Sequence, residues 1–246
     1  MPKYILYALG EIALVVIGIL IALQINNWND LRKDQNLEIE YIKRLIDDLK
    51  VDTASISNTI KNTKEWMEHG KIVLNAYEQE KIPFSNANFA RAIEYGLWFA
   101  YPAYSFSTYE ELQSTGALRL IRDDPVKKAI ADYRARIEWT EQFSTNWREV
   151  QQALEKVVPQ ILDIRIRETL FYERNEGPPW APRQLTVNEE DARQMLKRLL
   201  DMPTHKSVYA NMVRIQGAHY TNLEDIHALA HNALLTLEAH LHKLQF

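Results

Sequence analysis

The sequence predicts an all-α protein in which a single N-terminal transmembrane helix continues into a bundle of long helices. Three observations predict it. Tyr4 to Ile25, YILYALGEIALVVIGILIALQI, is an apolar run broken only by Glu11. As a helix it spans about 33 Å, enough for a hydrocarbon core of about 30 Å. Only seven glycines occur in 246 residues, too few for a strand-rich fold or a Gly-rich phosphate loop. Finally, apolar residues beyond the run recur at helical spacing between proline-marked boundaries.

Composition removes several function classes. The chain has no cysteine, which excludes disulfides, thiolate metal sites and cysteine nucleophiles together. A net charge of −4 without a basic run gives no footprint for nucleic acid. The apolar run is longer than a signal-peptide core and lacks a small-x-small exit, so it reads as a retained anchor.

Residues 1–29 form the anchor and its collar, and residues 30–246 the helical domain. From Leu31 to about Tyr77 there is no proline. Ile42, Leu45, Leu49, Ile56, Ile60, Met67, Leu74 and Tyr77 trace one face of a long helix, with a possible break at Gly70 and an end at Pro83. Ser85 caps a short helix over about Asn86 to Phe99. Thr108 and Glu111 have the spacing of a capping box, and that helix stops at Gly116. Asp124 and Pro125 read as an N-cap followed by proline at the first helical position. From there Val126, Ile130, Tyr133, Ile137, Trp147, Val150, Leu154 and Ile161 predict a helix of about fifty residues kinked at Pro159. Gly177-Pro-Pro-Trp-Ala-Pro182 is the candidate hinge. Asn188 caps a short helix to about Asp201, and Thr204 opens a last long helix to the C-terminus.

Within the anchor, Ala8, Glu11, Val15, Gly18 and Ala22 alternate three and four residues apart, the spacing of a helix–helix seam. Gly18 and Ala22 form a small-xxx-small pair that lets two backbones approach. An ionisable group at that depth costs about 2.5–3.5 kcal/mol on insertion scales and faces protein or water rather than lipid. The seam therefore predicts a homo-oligomer with Glu11 turned inward; toleration of a lone acid one turn from the interface is the alternative. The apolar stripe beyond Leu31 is out of phase with this seam by about two residues, which confines the interface to the membrane. Gln24, Asn26, Asn27 and Trp28 make an interfacial collar, with Trp28 at headgroup level. Arg32, Lys33, Lys43 and Arg44 after the helix outnumber Lys3 before it, which by charge alone favours a cytoplasmic domain.

Tyr7 to Asn29, YALGEIALVVIGILIALQINNWN, resembles the anchor of an uncharacterised bacterial single-pass membrane-protein family, whose members begin Y-x-x-G-E-I-x-L-V-V-x-G-I-L-I-A-L-Q-x-N-N-W-N. Thr108 to Arg122, TYEELQSTGALRLIR, is similar to that family's second segment, T-x-x-x-L-x-x-x-G-x-L-x-x-I. The resemblance implies a domain of unknown function, a helical C-terminal part and no activity to carry over. Relatives often bear a basic leader, which implies a domain outside the cytoplasm; here only Met1-Pro2-Lys3 precedes the anchor.

Two further groups of side chains are candidate sites. Tyr95, Trp98, Tyr101, Tyr104 and Tyr109, among an aromatic-rich stretch, could line a ligand pocket, but the favoured reading is that they close the core of the bundle. Arg119, Arg122, Arg134 and Arg136 nearby are expected to pair with Glu110, Glu111, Asp123 and Asp124. Five histidines fall in the last helix. Glu224, His227 and His231 have the spacing of metal ligands, yet the second Glu-x-x-His of a di-iron bundle is missing and Ala228 stands where a zinc peptidase places its glutamate. The expectation is no metal, no cofactor and no catalytic group, with these residues forming a polar flank.

The sequence thus predicts a membrane-anchored, homo-oligomerising helical scaffold or interaction protein without enzymatic activity, its anchor in the bacterial inner membrane and its domain extracytoplasmic. The expected partners are the lipid bilayer and further copies of the chain. The alternatives are a ligand-sensing domain using the aromatic cluster and an oligomeric channel with Glu11 facing the axis.

Overall fold

The computed structural model describes residues 2–142, 152, 156–175 and 184–245, with the backbone alone for 2–10. Among these residues the structure is all-α and without strands: a long N-terminal apolar helix leads into a helical bundle. Helix α1 spans Pro2–Gln79, α2 Asn86–Tyr95, α3 Ser107–Ser114 and α4 Asp124–Glu141, with a 3-10 turn Ala117–Leu120 before α4. They are followed by α5 Val158–Ile161, α6 Ile164–Arg174, α7 Glu189–Leu200 and α8 Thr204–Gln245. The predicted hinge at 177–182 lies outside the described residues, as do Trp147, Val150 and Leu154.

The two long helices are built on the same spacing. The buried stripe of α1 runs through Glu38, Ile42, Leu45, Leu49, Asp52, Ile56, Thr59, Thr63, Trp66, Gly70 and Val73, with Ile46 and Ala76 buried beside it. Those of α8 fall at Tyr209, Met212, Gln216, His219, Leu223, Ile226, Ala230, Ala233, Leu237 and His240. Alternation of three and four keeps one narrow stripe inward along a long helix. The predicted stripe of α1 drifts from this one by a residue after Ile56: Ile60, Met67 and Leu74 are only half-buried, while their neighbours Thr59, Trp66 and Val73 are inside.

Backbone contacts divide the chain into two compact units. The first comprises Met1–Lys50, Ser105–Ala129 and Ala233–Phe246, the second Val51–Tyr104 and Ile130–Asn232. In the first unit, Ile42, Leu45, Ile46 and Leu49 of α1, Leu112 of α3, Leu120, Ile121, Val126 of α4, and Leu237 of α8 are buried. The second has the larger core. It runs from Trp66, Val73 and Ala76 of α1 through Phe89 and Ile93 of α2 to Ile161, Leu170, Met195, Leu199, Tyr209 and Met212. Within each unit α1 and α8 run antiparallel: Gln35 reaches Leu244 and Glu38 reaches His240 in the first, Ser57 meets His227 and Tyr77 meets Met202 in the second.

Four local expectations are corrected. Gly70 does not break α1; it lets another backbone in. A Cβ on Gly96 would lie 2.9 Å from Gly70 Cα and N. The capping box at Thr108 and Glu111 does not form. Asp48 of α1 instead accepts the Thr108 N–H (3.3 Å), and Glu111 turns to Arg44 and Tyr41. The cap of α4 is Asp123, whose Oδ1 accepts the Val126 N–H at 3.0 Å, one residue before the predicted Asp124. Pro159 sits in the first turn of the separate helix α5, where its missing N–H costs nothing. By contrast Ser85 caps α2 and Asn188 caps α7 as their spacing predicts, although α2 ends at Tyr95.

Candidate functional site

The best-defined candidate site lies in the second unit, where α1, α2 and α6 meet around aromatic rings. Trp66 and His69 follow each other on the inward side of α1, and Tyr95 closes α2. The close approach of Gly70 and Gly96 then folds Trp98 back over the same place. Tyr95 and Trp98 meet edge to face at 5.0 Å between centroids, Trp66 and Trp98 at 6.2 Å, and His69 and Tyr95 at 5.7 Å. The last residue of α6, Arg174, lays its guanidinium over three of these rings: 4.6 Å from the Trp98 centroid and 5.5 Å from those of Trp66 and Tyr95. Cations within about 6 Å of a ring face are attracted by its quadrupole.

Polar contacts fix the end of α6 against this cluster. The Tyr95 hydroxyl donates to Leu170 O at 3.0 Å. Arg91 grips Glu173 through two bonds of 2.7 and 2.9 Å, and Arg167 reaches Glu94 at 3.0 Å. The Arg91 guanidinium holds the Glu173 carboxyl below its usual range. Burial pushes the Tyr95 hydroxyl up to about 12 and is the main reason His69 is lowered, against the pull of Glu65. The site therefore presents neutral rings and one guanidinium.

The predicted pocket residues separate. Tyr95 and Trp98 belong to this cluster. Tyr101 joins a second one, packed at 5.2 Å against both Phe99 and His219, with His219 Nε2 bonded to Ala100 O at 3.0 Å. Burial depresses His219 to about 4. Gln216 donates to Gly96 O and Trp98 O, tying this stretch to α8. Burial raises the Tyr104 hydroxyl, and Tyr109 lies on α3 in the first unit, where its hydroxyl accepts from Gln113. Sequence reasoning missed Trp66, His69 and Arg174, which come from distant positions.

Glu224, His227 and His231 share one side of α8. His227 Nε2 lies 2.9 Å from Ser57 Oγ, Glu224 bonds Tyr220, and His231 is exposed. Among the described residues no group of three or more acidic, histidine or cysteine side chains is arranged to hold a metal ion.

Among the described residues the predicted anchor holds the longest run of exposed apolar side chains. Ile12, Leu14, Val15, Ile17, Ile21 and Ile25 are each at least half exposed. Glu11, Gly18 and Ala22 also lie on the surface, and a Cβ on Gly18 would meet nothing within 4 Å. Of the predicted seam, Ala8 lies in the stretch described by backbone alone. In the collar Gln24, Asn26, Asn27 and Trp28 are exposed, Asn26 donates to Asp30 at 3.4 Å, and Arg32 covers the Trp28 ring at 5.8 Å.

The first unit holds a buried polar group of its own. Glu38 Oε1 lies 3.0 Å from His240 Nε2 and accepts the Arg122 N–H at 3.2 Å, while Asp123 approaches His240 Nδ1 at 3.4 Å. Two of the arginines take distant partners instead of the predicted local ones, Arg122 reaching Asp34 and Arg136 reaching Asn222 and Asp225, while Arg134 pairs with Glu138 one turn along α4.

Among the described residues, α1 holds the one helix segment long and apolar enough to cross a membrane, with a window of mean hydropathy 1.7 that the chain itself leaves uncovered. No curated protein and no solved structure matches the chain. A family model described as a family of unknown function, DUF6090, matches residues 11–136. That stretch takes in most of the apolar run, the collar, Trp66, Tyr95 and Trp98, and the TYEELQSTGALRLIR segment. It covers just over half of the 246 residues, and the chain belongs to this DUF6090 family of unknown function.

Proposed function

We propose that the chain is a single-pass protein of the bacterial inner membrane whose anchor self-associates and whose helical domain serves as a non-enzymatic scaffold. Residues 1–29 are the anchor and collar, and residues 30–246 the domain displayed outside the cytoplasm. The observation that carries this reading is the exposed apolar window of α1. An uncovered stretch of that length is unstable in water and is stable in lipid. Lipid does not suit Glu11, however, and the outward, open side of Gly18 offers a place where a second helix brings protein to it. The positive charges after the helix argue for the opposite orientation, but long domains cross largely regardless of such charges.

The test is the mass of the detergent-extracted protein by light scattering. Wild type is expected as an oligomer that Gly18→Ile converts to a smaller species, because a branched side chain holds the backbones apart. A monomeric wild type, or an oligomer unchanged by Gly18→Ile, would overturn the seam. Protease added to intact spheroplasts reads the orientation, with cleavage expected in the domain.

A further inference from the structure

We propose that Trp66, Tyr95 and Trp98 form an aromatic cage for a small quaternary ammonium compound, and that Arg174 is the resident cation such a ligand displaces. The cage goes beyond the scaffold role, which does not require it. Three ring faces converge on one cation, and two of the rings belong to residues that are almost fully buried, Trp66 at 2 % exposure and Tyr95 at 6 %. Arg174 itself is exposed, at the end of its helix. Its guanidinium thus closes the outer side of the cage, and a single side-chain rotation would open it.

The chemistry of the walls selects the ligand. Among the described residues no ion pair joins Arg174 to a carboxylate; the acids of the neighbouring helices have other partners, Glu173 with Arg91, Glu94 with Arg167 and Glu65 at 3.7 Å from His69. The guanidinium is held by ring faces. A primary ammonium needs acceptors for its protons and is strongly hydrated, so a carboxylate-free cage serves it poorly. A quaternary ammonium has no N–H, sheds water readily and suits aromatic walls. The His69 ring meets Tyr95 tilted at 5.7 Å, and burial disfavours its protonated, cation-repelling form. The Trp66 indole N–H has no partner among the described residues. A ligand oxygen beside the ammonium, as in choline, would give this buried donor one.

Arg174 acts as an internal competitor. If it fills the cage about nine-tenths of the time, its removal tightens ligand binding about tenfold. The test uses the full chain in dodecyl maltoside, which has no choline group, titrated calorimetrically with choline chloride at constant ionic strength. Binding by wild type and about tenfold tighter binding by Arg174→Ala are expected. The uncharged isostere 3,3-dimethylbutan-1-ol should bind at least about tenfold more weakly than choline, because it lacks the charge that the ring faces attract. Trp98→Leu in the Arg174→Ala background should abolish the signal. Because Trp98 also packs in the core, Arg174→Ala and the isostere are the deciding measurements. Absence of choline binding to Arg174→Ala, or equal binding of choline and the isostere, overturns the cage. Repeating the titration in nanodiscs separates the sources of the same headgroup chemistry. Choline binding in phosphatidylglycerol but not in phosphatidylcholine discs supports occupation by a lipid headgroup. Equal binding in both supports a free solute.

Discussion

The two units are held by different kinds of contact. In the first, buried or half-buried carboxylates sit at the centre of nearly every distant tie: Glu38 on His240 and Arg122, Glu111 on Arg44 and Tyr41, Asp48 on Ser105 and Thr108. In the second, many polar side chains reach backbone carbonyls around a large aromatic core: Tyr209 to Ile93 O, Tyr95 to Leu170 O, Gln216 to Gly96 O and Trp98 O. The division is not complete: in the second unit Tyr133 donates to the buried Asp52 at 2.7 Å, Arg91 holds Glu173 and Arg167 reaches Glu94. A carboxylate-centred region loses most when one partner of a charged group is removed. A core-centred region loses most when volume is removed. The largest expected effects separate these two cases.

Phe89→Ala empties a fully buried position in the second unit and should cost about 3–5 kcal/mol in denaturant unfolding. His240→Leu keeps volume and removes the ring between Glu38 and Asp123. Taking a hydrogen-bond donor from a buried acceptor costs about 1–3 kcal/mol, so this apolar change should destabilise measurably although it opens no large cavity. Adding Glu38→Gln should recover part of the loss, because the amide still accepts the Arg122 N–H without carrying a charge. Equal stability of the single and double variants would mean that packing of the ring, rather than charge, holds this place.

Acid should distinguish the units next. His219 has a folded value of about 4, below the ordinary 6.5, because it is buried. The unfolded chain therefore binds its proton first, and the contribution of the neutral ring is full above pH 6.5 and is lost as pH falls towards 4. The whole loss is on the order of 3 kcal/mol. Glu111 in the first unit is also shifted downward, but because hydrogen bonds from Arg44 and Tyr41 favour its charged form rather than because burial disfavours it. Its contribution is present above the ordinary carboxylate value of 4.5 and is lost as pH falls through the lowered one. Amide exchange followed from pH 7 downwards should show protection around Ala100 and α8 falling before any loss that depends on Glu111. His219→Gln should flatten the early part of that curve.

The same contrast explains what could be read in the sequence. Helices announced by local chemistry were legible: the apolar run, the caps at Ser85 and Asn188, the turn at Gly116. Where a distant helix supplies the partner, local pattern misleads. Glu111 fits a capping box, but Arg44 of α1 takes it, and Thr108 is capped by Asp48. On the long helices, buried polar residues hide the stripe. Reading α1 by apolarity selects Ile60 and Met67 in place of Thr59 and Trp66. In α8 the signal was present: stepping four and three residues out from Ile226 and Leu237 leads through Leu223 to His219 and directly to His240, on the inward stripe and away from the polar flank. For the aromatic site, the window from Tyr95 to Tyr109 contains two walls of the cage. Trp66 and Arg174 enter only through the close approach of α1 to the Gly96 turn and the docking of α6, which no local spacing encodes.

The smallest expected effect tests whether a cap supplied from far away is worth more than one supplied in sequence. Asn188 caps α7 by accepting the Asp191 N–H at 2.8 Å, a bond that any chain able to form the helix can make alone. Asp48 accepts the Thr108 N–H at 3.3 Å and also the Ser105 hydroxyl at 3.0 Å, so it orders the turn before α3 as well as the helix end. Losing a side-chain cap costs about 0.5–2 kcal/mol. Asn188→Ala should fall near the low end, because water can reach the exposed Asp191 N–H once the cap is gone. Asp48→Ala should fall near the high end, since two donors lose one acceptor inside a half-buried site. Amide exchange at Thr108 and Asp191 reads the two caps directly, and a larger loss for Asn188→Ala would place the stitching of the first unit elsewhere than in its carboxylates.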